Sequence, residues 1–178
     1  MKNLSEIASF YWVVSIIIVI FLILLWVEGK KEKKAVLAVL FVLYFAVYSY
    51  IVFFYRTPAS RYRLITSLFH TYQGGFDGLQ IKNIPAVKQI ALNILLYLPL
   101  GMILASAMQG RRLMPILICF FVSFATEIIQ YYSRRGYADI DDVLNNTIGC
   151  IMGVHILTIT MRRKIRLQDA RFIVSKPK

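Results

Sequence analysis

Apolar residues along this chain fall into five long runs, without the strict alternation of exposed strands. The runs cover residues 8–27, 35–55, 89–108, 113–133 and 143–161. Only the fourth carries a charge, at Glu127. A bilayer core takes about 20 mostly apolar residues to cross as a helix. In lipid only helices and closed barrels satisfy their own backbone, and runs without period-2 alternation are not barrel strands. The pattern therefore predicts an all-α, polytopic transmembrane helix bundle of five spans, one membrane domain over residues 1–178. The first run exceeds the apolar core of a signal peptide and has no small-residue cleavage site behind it, so it reads as a retained helix.

The connection between spans two and three has a pattern of its own. Tyr62, Ile65, Phe69 and Tyr72 recur at helical spacing, with Arg61 and Arg63 between them. That predicts an amphipathic helix lying on the membrane interface. Gly74, Gly75, Asp77 and Gly78 then end it.

Composition agrees with the runs. Hydrophobic residues make up 58% and charged residues 17%, against about 25% charged in soluble domains. Mean hydropathy is +0.63. The net charge of +12 would suggest nucleic acid in a soluble protein. Here the basic residues sit beside apolar runs, so they read as topology determinants and lipid-headgroup contacts, with no nucleic-acid partner. Lys30, Lys31, Lys33 and Lys34, then Arg111 and Arg112, then the basic tail over 162–178 lie on one side of the five spans. They outnumber the basic residues of the other side, which predicts a cytoplasmic C-terminus and an N-terminus outside. Cys119 and Cys150 lie inside apolar runs and read as small apolar residues, not as a disulfide framework. His70 and His155 stand apart from any Cys/His cluster, so no metal site and no cofactor is expected.

The polar residues within or beside the spans need a reason. A carboxylate at mid-membrane costs roughly 2.5–3.5 kcal/mol on insertion scales. Glu127 shares a helical face with Ser123 and Gln130. Asp139, Asp141 and Asp142 precede the fifth span, where acids fit the helix dipole, so Asp139 or Asp141 reads equally as a cap. Asp142 and Asn146 share a face with Gly149 and Gly153, a spacing that lets helices approach closely, within one chain or across a homo-oligomer seam. Asn93 stands near one end of the third span, and Pro99 and Gly101 loosen its middle. With alternating span directions, Arg56, Asn93, Glu127, Gln130, Arg135, Asp139, Asp142 and Asn146 all fall at the outer boundary. They predict one outward polar pocket, of which Asn93, Glu127, Gln130, Arg135, Asp139, Asp142 and Asn146 are the expected lining. The plain alternative for Glu127 is a hydrogen bond joining two helices.

These residues resemble the VanZ-like family, known from teicoplanin resistance. The resemblance runs from about Ile90 to Gly153 and rests on Asn93 with Pro99-Leu-Gly101, on Glu127-Ile-Ile-Gln130, and most of all on Asp139-Ile-Asp-Asp142-Val-Leu-Asn-Asn146-Thr-Ile-Gly149. Family members carry an Arg before these acids, matched here by Arg135 or Arg134. The resemblance implies a multi-pass bacterial membrane protein that lowers susceptibility to teicoplanin and related lipoglycopeptides without remodelling the peptidoglycan precursor. Its partners would be membrane lipids, a lipid-linked cell-wall precursor or the lipoglycopeptide itself. Two other classes fit the same residues. One is a small membrane-embedded enzyme acting on a lipid-linked substrate, with Glu127 and Asp142, or Asp139 and Asp142, as general acid and base or holding a divalent cation. The other is a structural or transport partner of another membrane protein.

Overall fold

The computed structural model describes residues 15–16, 18–24, 26, 31–54, 58, 60–78, 80–109 and 111–174. Residues 15–16, 18–24 and 26 are the described part of α1, from which Ile20 and Leu24 enter the core. The rest of the expected first span lies largely outside the described residues. Helix α2 runs Lys33–Ser49 and continues into a π-turn, Tyr50–Phe54. Helix α3 is short, His70–Gly75. Helices α4, Ile84–Ala107, and α5, Leu113–Ser133, follow. Helix α6 runs Ile140–Val174 without a break. Among the described residues, four segments are long and apolar enough to cross a membrane: Lys33–Phe53, Ile84–Ala107, Leu113–Ser133 and Ile140–Arg163. Helix α6 continues past the last span, through most of the basic segment, to Val174.

Each boundary has a local cause. Asn83 is extended and precedes Ile84-Pro85, which places a proline in the first helical turn, where its missing N–H costs nothing. Helix α5 stops at Arg134, which turns left-handed (φ 57°) and donates its N–H to Gln130 and Tyr131; Gly136 follows two residues on.

The chain between α2 and α4 departs from the expected amphipathic helix. Leu64–Ile65 (β1) is extended and pairs in parallel with Ala138–Asp139 (β4). Phe69 adopts a left-handed conformation (φ 63°) just before α3 begins. The helical spacing of Tyr62, Ile65, Phe69 and Tyr72 therefore yields one six-residue helix, which carries only the last of the four. Strand pairing with a distant segment overrides local periodicity here. After α3, Phe76–Asp77 (β2) and Gln80–Ile81 (β3) close a small hairpin, with Gly78 left-handed at the turn (φ 59°).

Helix α4 is the centre of the bundle. Its residues from Tyr97 to Ile103 are all buried, and it packs against α2, α3, α5 and most extensively α6. Three glycines make that last approach possible. A Cβ added at Gly149 would overlap the Ile94 carbonyl, one at Gly153 the Leu98 carbonyl, and one at Gly101 would stand 2.9 Å from the Cys150 Cα. The Gly149/Gly153 face is thus an internal seam between α4 and α6. Pro99 is buried on the same helix. A polar knot joins three spans: the Tyr48 hydroxyl lies 2.6 Å from the Tyr97 hydroxyl and 2.6 Å from Thr126 Oγ1. On the far side of α5, Phe121, Phe124, Ile129 and Tyr132 are exposed. Such a face is unstable in water and suited to lipid.

Cys119 and Cys150, expected as separate small apolar residues, come together as a disulfide pair between α5 and α6. Both are fully buried, and their Cα atoms are 6.4 Å apart. That separation lies within the range a disulfide spans. Their sequence separation of 31 hid the pairing, which depends on how α5 crosses α6.

Candidate functional site

The end of α2, the start of α4, the end of α5 and the start of α6 meet at one end of the bundle. Four carboxylates are buried there: Glu127, Asp139, Asp141 and Asp142. Each is held by a specific neighbour. Asp139 precedes α6 and receives the Asp141 N–H on Oδ1 at 2.9 Å, so it caps that helix. Its own N–H is donated to Glu127 Oε2 at 2.9 Å. Burial pushes the Asp139 carboxyl above the ordinary aspartate range, opposed by the Asp141 N–H and by His70.

Asp141 faces α3. It accepts the N–H groups of Phe69 at 2.6 Å and Thr71 at 2.9 Å, which fixes the short helix against α6. Asp142 faces α4 and accepts the side-chain amides of Asn93 at 2.6 Å and Gln89 at 3.0 Å. One turn further, Asn145 accepts the Tyr72 hydroxyl and Asn146 donates to Ser123 Oγ at 2.8 Å. The Tyr72 hydroxyl is held protonated to higher pH than usual, by burial first and the nearby Asp141 charge second. Among the described residues, two buried amide atoms lack a partner, Asn145 Nδ2 and Asn146 Oδ1. Buried orphans are uncommon and call for a water or a ligand.

Of the seven residues expected to line a pocket, Asn93, Glu127, Asp139, Asp142 and Asn146 take part in these bonds, and Gln130 is buried one turn beyond Glu127 on α5. Arg135 is directed elsewhere. Its guanidinium donates to the Phe53 carbonyl at 2.7 Å, at the π-turn that ends α2. Among the described residues no carboxylate pairs with it. A π-turn shifts the backbone hydrogen-bond register, leaving a carbonyl for an outside donor. Arg56 and Thr57 lie outside the described residues.

Sequence reasoning missed part of the cluster. His70 is not isolated: Nδ1 lies 3.0 Å from Asp141 Oδ2 and Nε2 lies 3.4 Å from Asp139 Oδ2. Gln89 and Tyr72 were missed too. Gln89 sits four residues before Asn93, on its face, and that spacing could have flagged it. Nothing local announces His70, because α3 reaches the cluster by tertiary packing alone.

Beside the cluster runs a groove of about 470 Å³, lined by Leu64, Phe120, Phe124, Ile128, Tyr131 and Val143 among others. Glu127 and Asp139 contribute to its wall. Its size suits a small-molecule or single-chain ligand. The sequence matches the VanZ/LLP1 family over residues 10–161. The chain belongs to that family. No curated protein and no solved structure matches it. The VanZ/LLP1 match reaches well into the N-terminal third, beyond the Ile90–Gly153 stretch that carries the motifs. In this VanZ/LLP1 protein the motif residues divide by task. Asp142 with Asn93 joins α6 to α4, Glu127 with Asp139 joins α5 to the start of α6, and Gly149 with Gly153 sets how closely α4 and α6 lie.

Proposed function

We propose that this VanZ/LLP1-family protein acts at the outer face of a bacterial cell membrane. It takes the acyl-tailed end of a lipoglycopeptide or of a lipid-linked cell-wall precursor into the groove beside its buried acids, and so lowers susceptibility to teicoplanin-type drugs. The observation that carries this reading is the juxtaposition of Glu127 and Asp139 with an otherwise apolar groove on the lipid-facing side of α5. An apolar chain gains by leaving water for such a groove. Carboxylate oxygens accept hydrogen bonds from hydroxyl or ammonium groups, which sugar-bearing and amine-bearing headgroups supply.

This reading uses five spans, with the first apolar run crossing as well, and the excess of basic residues on the C-terminal side as the cytoplasmic mark. Helix α3 then lies at the outer interface with the cluster beneath it.

The test is teicoplanin susceptibility of a sensitive Gram-positive host carrying wild type, Glu127→Gln or Asp142→Asn at equal membrane abundance. Both substitutions keep an oxygen acceptor for the neighbours and remove only the acid. The expectation is that wild type protects and both variants lose most of the protection. Protection by both variants at the wild-type level would sink the idea that these acids are the working part.

A further inference from the structure

His70 brings an imidazole to two carboxylates from different elements. It opens α3, whereas Asp139 ends β4 and Asp141 lies in the first turn of α6. One ligand atom from each residue lies within 4.8 Å of the other two. Asp139 is 4% exposed, Asp141 is fully buried, and His70 is 32% exposed. The described partners of the two acids are backbone N–H groups and this imidazole. Among the described residues, a neutral imidazole leaves both acids without a countercharge, and a protonated one offsets only one of them. Buried carboxylates in that state are costly and favour the arrival of a cation. A second observation belongs to the same cluster. Asn145, one turn beyond Asp141 on its face, holds the Tyr72 hydroxyl of α3 and leaves its buried Nδ2 without an acceptor. A water or an anionic ligand atom carried by a bound cation would supply one.

We propose that His70, Asp139 and Asp141 form a binding site for one divalent transition-metal cation, of the zinc or manganese class, beside the groove that Asp139 lines. The donor set decides the class. One imidazole nitrogen with two carboxylate oxygens suits zinc, manganese or ferrous iron. It is poorer in oxygen than calcium requires and lacks the thiolates that select cuprous copper. Three protein ligands leave at least one position for water or a ligand oxygen, as in zinc sites that bind exchangeable ligands. His70 is half-exposed, so an ion can reach it from solvent.

The experiment uses the full chain, tag-free in detergent, stripped with chelator and then titrated with Zn²⁺ or Mn²⁺. Metal retained after desalting is counted by mass spectrometry, and affinity is read by calorimetry. The proposal expects about one ion per chain on wild type and on His155→Ala. It expects at least about tenfold weaker binding for His70→Ala and Asp139→Asn, a loss of the size that even outer-shell changes produce. Because Asp139 also caps α6, its variant is scored only at an unchanged gel-filtration profile, and His70→Ala carries the test if it unfolds. No ion retained on wild type overturns the proposal and leaves His70 as an ion-pair partner of the two acids. Equal binding by His70→Ala overturns it as well.

Discussion

Glu127 on α5 accepts the backbone N–H of Asp139 at 2.9 Å, twelve residues further along the chain. An acid near the end of one span thereby fixes where the next helix starts. Asp139, so placed, caps α6 and turns Asp141 and Asp142 towards α3 and α4. The cost of a carboxylate in an apolar segment is offset by this bond and the other contacts of Glu127.

Glu127→Ala would leave the Asp139 N–H buried without an acceptor, at a cost of about 1–3 kcal/mol. Glu127→Gln retains an oxygen at the same reach and should cost clearly less. Unfolding of the two variants in mixed detergent micelles, followed by circular dichroism, checks the order. An alanine variant as stable as the glutamine variant would mean that the bond carries no weight.

The α4–α6 seam gives a sharper expectation. Gly149→Ala places a methyl group onto the Ile94 carbonyl, and Gly101→Ala places one against the backbone of Cys150. Neither neighbour is a flexible side-chain end, so the helices must part. Overpacking of this kind costs about 1–3 kcal/mol. Gly74→Ala, where the added group meets nothing within 4 Å, is the control. Thermal denaturation in detergent should lower the midpoint for the two seam variants and spare the control.

Much of this architecture was legible in the runs of apolar residues, because transfer of twenty apolar side chains into hydrocarbon dominates every local preference. The meeting of Asn93, Glu127 and Asp142 at one end was legible too, since consecutive spans must alternate in direction. What escaped were contacts made by irregular chain. His70 reaches Asp139 only because Leu64–Ile65 pairs with Ala138–Asp139 and draws α3 onto α6. Arg135 turns to Phe53 because α2 ends in a π-turn, which no spacing rule announces. The periodic residues between 62 and 72 misled for the same reason: a strand pairing took Ile65, and Phe69 turned left-handed before α3.

The Cys119–Cys150 pair makes a prediction on its own. With Cα atoms 6.4 Å apart and both side chains buried, the two sulfurs should react with each other before they react with anything in solution. Protein denatured in SDS under mild oxidant should resist a polyethylene-glycol maleimide, and should take up two equivalents after reduction, giving two steps of mass on a gel. Uptake of both equivalents without reduction would place the helices further apart than described here.

The proposed role requires the carboxylate and amide cluster to open towards the outer face of the membrane. Tyr137 is exposed in the connection between α5 and α6, next to the acids. The direct measurement is labelling of Tyr137→Cys, in a chain with Cys119→Ala and Cys150→Ala, by a membrane-impermeant maleimide on intact cells. The account predicts labelling from outside without permeabilisation, to the extent seen in lysed cells. Labelling that appears only after lysis would place the cluster on the cytoplasmic side and contradict the surface-acting role.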